Sequence, residues 1–128
     1  MKVEELMVGN WVTVKHTHRQ PSTEKVYGIG QTNVLIKMSS GIYSFDYERI
    51  QPIPITEDFL LKNGFRKKEF KGHNVFMIFK LNMSIEKVET GWFINIAKGN
   101  EEVSVLINYV HELQHVLTII NIEKEVTV

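Results

Sequence analysis

The chain has 128 residues, of which 43% are hydrophobic and 23% are charged, as in an ordinary globular domain that can bury a core. Fifteen basic side chains balance fifteen acidic ones, so the net charge is zero and only a strongly local basic patch could attract nucleic acid. Cysteine is absent, which excludes disulfides, thiolate nucleophiles and cysteine-ligated zinc.

The hydropathy pattern predicts a cytoplasmic protein that does not enter a membrane. No apolar run approaches the roughly 20 residues that a membrane-spanning helix requires. The first ten residues, MKVEELMVGN, have no apolar stretch of the kind found in secretory signals. Both observations favour the cytoplasm as the location.

Residues 1–55 predict a small antiparallel β-barrel of the Src-homology type. In NWVTVK, Val12 and Val14 alternate with Trp11 and Thr13, as in a half-buried strand. HTHRQPST is a polar loop, and the β-branched runs EKVYGIG and NVLIKMS, joined by a short turn, predict a hairpin. IYSFDYERI predicts a further strand, which brings the expected number to four or five.

Aromatic residues of this predicted barrel are candidates for a peptide-binding groove. Tyr43, Phe45 and Tyr47 alternate along one strand and therefore share a face. Together with Trp11 they could form the aromatic surface with which small barrels bind proline-rich peptides. The alternative, which aromatic residues in small barrels follow more often, is that they fill the core.

Residues 56–128 predict a helix, an antiparallel sheet and a second helix packed on that sheet, which makes the fold class α+β. Thr56 is a good N-cap for a short helix over about residues 57–63, and Gly64 ends it. FRKKEF, NVFMIFKL, GWFINIAK and EVSVLI predict a meander in which the stretch around SIEKVETG is a polar connection. Asn108 would cap a helix over 109–120, and KEVTV would form a last strand. We expect this part and the barrel to form one compact unit.

The second helix contains the spacing H-E-x-x-H, which zinc peptidases use for two metal ligands and a general base. His111 and His115 would be the ligands and Glu112 the base. All three are predicted on the solvent side, because the apolar residues recur at the spacing of the opposite face. That apolar stripe consists of Val110, Leu113, Leu117 and Ile120.

A catalytic zinc site also needs a third protein ligand. The longer form of the motif would place glycine and histidine at positions that Thr118 and Asn121 occupy. Glu123 and Glu125 follow too closely to reach back along the helix. We therefore expect no metal and no cofactor, and a metal-dependent hydrolase remains an alternative function.

The segment FRKKEFKGH suggests a second alternative, a nucleic-acid-binding hairpin, because it combines basic and aromatic residues. An ordinary exposed hairpin has the same composition, and the zero net charge disfavours nucleic acid as a partner. The basic residues concerned are Arg66, Lys67, Lys68 and Lys71, near Phe65, Phe70 and His73.

Two segments, IQPIPITEDFLLKNGF and YVHELQHVL, resemble a group of small proteins from Bacteroidetes bacteria and their phages or mobile elements. Those chains open with GN-x-V, carry a central I-x-P-I-P-L-T-E-x-W-L-L-K-F-G-F segment and close with Y-V-H-Q-L-Q-N-L. The resemblance spans nearly the whole chain and implies a host, but no established activity. This chain has Glu112 and His115 where the group has glutamine and asparagine, so the zinc-peptidase spacing is peculiar to this member. The matching residues at the first and last segments are Gly9, Asn10, Val12, Tyr109, Val110, His111, Leu113 and Gln114.

These observations favour a non-enzymatic interaction module of a bacterial, phage or mobile-element system. Its partner would be a protein that the sequence does not identify, and the oligomeric state is equally unspecified. The expected contact residues are the four barrel aromatics, with His111 and Gln114 on the polar face of the second helix.

Overall fold

Two five-stranded antiparallel sheets and two α-helices make up an α+β protein. The computed structural model describes Met1 and residues 5–128. The chain divides into two units, Met1–Ile53 and Pro54–Val128, and each contains one of the sheets. In the described part of the chain, neither helix has the length and apolarity that crossing a membrane would require.

The sheet of the first unit has the strand order β4-β3-β2-β1-β5. A 3₁₀ turn, Tyr47–Arg49, connects the fourth strand to the fifth. The strands are β1 (Trp11–Val14), β2 (Ser22–Ile29), β3 (Asn33–Met38), β4 (Gly41–Asp46) and β5 (Ile50–Gln51).

Alternating apolar residues form the core of the first unit, as the strand pattern predicts. Val12 and Val14 are fully buried, whereas Trp11 and Thr13 between them are only half-buried. Because side chains alternate across a strand, one face of the sheet is inside and the other faces outward. The other buried members of this core are Leu6, Val26, Val34, Ile36 and Ile50.

The sheet is open in the part of the chain that the structure describes. β4 and β5 are its two edges, and no pairing between them closes the sheet among residues 5–53. The closed barrel predicted from the sequence is therefore not observed there. Tyr47 lies in the 3₁₀ turn and not in the strand that holds Tyr43 and Phe45.

The sheet of the second unit has the order β10-β9-β8-β7-β6, an unbroken meander. The prediction of a polar connection around SIEKVETG is wrong, because these residues form a central strand. Met83 and Ile85 point into the core, and the polar Ser84 and Glu86 alternate with them on the other face. The polar residues of that face made the segment resemble a loop. The strands are β6 (Arg66–Phe70), β7 (His73–Ile78), β8 (Met83–Val88), β9 (Gly91–Lys98) and β10 (Glu101–Ile107).

The first helix, α1 (Glu57–Lys62), forms as predicted. The Thr56 hydroxyl oxygen accepts a hydrogen bond of 3.1 Å from the backbone N–H of Phe59, which satisfies one of the unpaired donors at the start of the helix. Gly64 follows the helix with φ of +88°, the left-handed conformation in which glycine avoids strain.

The second helix, α2 (Val110–Ile119), begins one residue later than predicted, with Tyr109 at the N-cap position. Its apolar stripe is buried and contributes to the core of the second unit, together with the inner sheet residues Phe76, Ile85 and Ile94.

The predicted last strand is not a strand. Residues 122–128 run without regular structure, and the side chain of Asn63 holds them. Its amide nitrogen donates to the Thr127 carbonyl at 2.7 Å, and its amide oxygen accepts from the Thr127 N–H at 2.8 Å. One buried side chain thus pairs with the tail as a neighbouring strand would.

Candidate functional site

Glu112 caps the start of α2. Its Oε1 atom accepts hydrogen bonds from the backbone N–H groups of Asn108, at 2.9 Å, and of Tyr109, at 3.0 Å. These donors lack partners inside the helix, and a carboxylate there also interacts favourably with the helix dipole. The prediction that Asn108 caps the helix is therefore wrong, and the residue that would act as base in a peptidase has a structural role.

His111 is buried, with 4% of its surface exposed, so its predicted position on the solvent face is wrong. The Tyr109 ring lies nearly parallel to the imidazole, at 5.9 Å between centroids, and His115 meets it edge-on at 5.5 Å. The spacing of apolar residues along a helix indicates which face packs on the sheet. It does not show that the side chains of Tyr109 and His115 lie against His111, which is on another face. His111 is thus no longer a candidate for direct contact with a partner, whereas Gln114 is half-exposed.

His115 is the second histidine of the motif and is half-buried. Burial lowers the pKa of His115, and the Glu112 carboxylate opposes this effect only in part. Among residues 5–128, no group of three histidine, aspartate or glutamate side chains lies together in a way that could hold a metal ion. The described residues therefore do not supply the third ligand that a catalytic zinc needs.

We expect Glu112→Ala to lower the free energy of unfolding by about 1–2 kcal/mol, because two backbone donors lose their acceptor at the positive end of the helix dipole. Glu112→Gln keeps an acceptor oxygen and should lose clearly less. Urea unfolding followed by circular dichroism measures both. Glu102→Ala, at an exposed position of β10, serves as the control. An alanine variant at position 112 as stable as the parent would contradict the capping role.

The basic residues of the β6–β7 hairpin do not share one surface. Lys67 lies opposite the core residue Phe76 and forms an ion pair of 3.0 Å with Glu57. Lys68 lies on the other face, with its Nζ 4.6 Å from the centroid of the Phe79 ring. Phe65 is buried and cannot stack on a ligand. The hairpin predicted to bind nucleic acid as a whole is therefore divided between two sides of an edge strand.

The predicted aromatic groove is divided as well. Trp11 lies on the outer face of its sheet, where Lys25 Nζ is 5.1 Å from the ring. Phe45 and Tyr47 pack against the core on the other side. The Tyr47 hydroxyl donates to the Gly30 carbonyl at 2.7 Å, and burial raises the pKa of this hydroxyl. Trp11 therefore does not join the other three aromatics in one surface.

Tyr43 and Phe45 share one face of β4, opposite the buried Ile36 and Val34, and an open cleft of about 620 Å³ lies in the same unit. The Tyr43 hydroxyl is 2.7 Å from Ser40 Oγ, and Ser40 is in the β3–β4 turn that lines the cleft. His16, in the loop after β1, meets the Phe45 ring edge-on at 5.6 Å. Partial burial and then the nearby Arg19 lower the pKa of His16, which favours the neutral ring.

The β1–β2 loop and the β3–β4 turn form the walls of this cleft. Arg19 and Gln20 come from the loop, Met38 from the end of β3, and Ser39 and Ser40 from the turn. The sequence predicts HTHRQPST only as a connecting loop. The loop lies near the turn because β2 pairs with both β1 and β3. The sequences of the loop and of the turn do not indicate this pairing.

No protein-family model, curated protein or solved structure matches this chain.

Proposed function

We propose that the chain is a non-enzymatic interaction module that binds an extended peptide segment of a partner protein in the first unit. The observation that carries the proposal is the open cleft of about 620 Å³ that Ser40 lines, together with the exposed Tyr43, whose hydroxyl is 2.7 Å from Ser40 Oγ. Aromatic side chains next to a groove are a recurrent means by which small β-domains recognise peptides. Ser39, Ser40 and Gln20 supply hydrogen-bonding groups for a peptide backbone along the same cleft.

The charges around the cleft favour a polar or mixed peptide over a purely apolar one. Arg19 and Glu24 lie on its lining, so both signs of charge are present. Tyr43 provides an apolar surface with a polar tip, which suits residues at protein interfaces. His111 has no part in this proposal, because it is buried.

We further propose that the first unit belongs to the small barrels of the Src-homology type. The proposal is supported by the meander of β1 to β4, by the return of the short β5 to pair with β1, and by the 3₁₀ turn before β5. A closed barrel would require, in addition, that the edge strands β4 and β5 pair with each other.

The host and location are proposals of the same kind. The resemblance of IQPIPITEDFLLKNGF and YVHELQHVL to proteins of Bacteroidetes and their phages or mobile elements supports an accessory role in such a system. The cysteine-free composition agrees with a reducing cytoplasm.

Site-specific photo-crosslinking tests the peptide-binding role. We expect p-benzoylphenylalanine in place of Tyr43 to form a discrete crosslinked species in cells of the native host. The matched control has the same replacement at Tyr27, another exposed tyrosine of this sheet. Its ring is 5.8 Å from Nζ of Lys37, which is exposed on the face opposite the buried Ile36. Identical crosslinking patterns for the two variants, or none for either, would contradict the proposal.

A further inference from the structure

A second cleft, in the second unit, combines an exposed aromatic ring with basic side chains. It has a volume of about 310 Å³ and lies between the end of α1 and the 3₁₀ turn Phe79–Leu81. None of its lining side chains is acidic. They are Arg66, Met77, Ile78, Phe79 and Lys80, and Gly64 completes the lining.

Phe79 is the most prominent side chain of this cleft. More than half of its surface, 57%, is exposed, although it is large and apolar. Lys68 Nζ lies 4.6 Å from the centroid of its ring, so a cation accompanies the aromatic surface. An exposed ring bordered by cations is the arrangement on which unpaired nucleic-acid bases stack.

Four cations surround the cleft from different parts of the unit. Arg66 and Lys80 line it, Lys68 lies over Phe79, and Lys124 Nζ is 4.0 Å from the position that a Cβ atom on Gly64 would take. These residues come from β6, the 3₁₀ turn and the tail, so the sequence gives no sign that they meet. Their convergence supplies the local basic patch that a chain of zero net charge needs in order to bind a polyanion.

Several acidic side chains lie near the Phe79 cleft but do not line it, and one of them, Glu102, lines an adjacent cleft that Phe79 also lines. Glu57 forms its ion pair with Lys67 on the other side of β6, and Glu86 Oε1 lies 3.0 Å from His73 Nδ1. Glu123 lines a neighbouring cleft, which Lys80 borders too. The lining of the Phe79 cleft itself therefore retains its positive charge.

We propose that the Phe79 cleft binds single-stranded nucleic acid, with one base stacked on Phe79 and the adjacent phosphates on Arg66, Lys68 and Lys80. A duplex keeps its bases stacked on one another and offers no free base to the ring, so the site selects single strands. This role does not depend on the peptide-binding proposal, because Tyr43 and Phe79 belong to different units.

Fluorescence anisotropy with a labelled thymidine oligonucleotide and with a duplex of equal length tests the proposal. We expect tighter binding of the single strand. If three phosphates are contacted, its affinity should fall about 20-fold between about 50 mM and 200 mM salt, because bound counterions are released. Phe79→Ala should weaken binding by between about 5-fold and 150-fold, the range that loss of one stacked base implies.

Matched variants separate stacking from non-specific charge. Phe93→Ala removes another exposed phenylalanine of the same unit, 42% exposed, and should leave affinity unchanged. Lys68→Gln should reduce the slope of log affinity against log salt by about 0.7. Lys87, on β8 with its Nζ 5.4 Å from the Trp92 ring, does not line the cleft, so Lys87→Gln should leave the slope unchanged. Absence of binding at the lower salt concentration would overturn the proposal. Equal affinity for a polyglutamate peptide, or binding that Phe79→Ala leaves intact, would also overturn it, because each would indicate a partner recognised by charge alone.

Discussion

Phe76→Ala should lower the free energy of unfolding of the second unit by about 3–5 kcal/mol, the range for removing a phenylalanine from a packed core. Phe76 is only 1% exposed and lies on β7, and its ring meets that of Trp92 edge-on at 5.9 Å between centroids. The substitution therefore loses buried apolar area and an aromatic pair, and it leaves a cavity beneath Trp92. Urea unfolding monitored by circular dichroism measures the loss.

Phe70 provides the matched control for this substitution. It lies at the end of β6, next to β7, and 65% of its surface is exposed. Phe70→Ala should change the free energy of unfolding by no more than about 0.5 kcal/mol, as is usual for surface positions. Equal losses in the two variants would contradict the assignment of Phe76 to the core.

Asn63→Ala should cost about 2–4 kcal/mol, because it removes three hydrogen bonds at a buried position and leaves backbone groups without partners. The Asn63 amide nitrogen donates to the Phe59 carbonyl at 2.8 Å. The same side chain also forms hydrogen bonds with both the backbone N–H and the carbonyl of Thr127. The effect should extend to the tail, where Val126 is buried. Urea unfolding gives the stability change.

Amide hydrogen exchange at Thr127 isolates the contribution of this side chain. Exchange at that N–H should accelerate in Asn63→Ala, because its acceptor has been removed. Asn100→Ala, in the exposed turn between β9 and β10, should leave both the exchange rate and the stability unchanged. Unchanged protection of Thr127 in the Asn63 variant would show that other contacts hold the tail.

The α+β class and most strands could be predicted from local patterns, because a strand with one buried face alternates visibly. Val12 and Val14 on β1 are the clearest case. β8 escaped prediction because Ser84 and Glu86 on its outer face made the segment resemble a loop. The tail could not be predicted at all, since Asn63 and Thr127 are 64 residues apart and their pairing leaves no periodic signal.

The candidate sites depended on information that local patterns do not contain. Alternation correctly placed Tyr43 and Phe45 on one face, but only the register among β1, β2, β3 and β4 shows that Trp11 lies on the opposite face. In the sequence, Phe79 continues the apolar run that predicts a buried strand. The structure instead places Phe79 in a 3₁₀ turn directly after β7, and this turn contains no glycine or proline that would indicate it in the sequence.

The division into two units gives each of them its own intrinsic fluorophore, because the two tryptophans of the chain lie one in each. Trp92 is buried, and its indole N–H donates to the Ile55 carbonyl at 3.2 Å, whereas Trp11 is half-buried beneath Lys25. Emission from Trp92 should accordingly occur at shorter wavelength than emission from Trp11. The tryptophan fluorescence of a Trp11→Phe variant would report only on the unfolding of Pro54–Val128, and that of a Trp92→Phe variant only on the unfolding of Met1–Ile53. Comparison of the two unfolding curves would show whether the units unfold together.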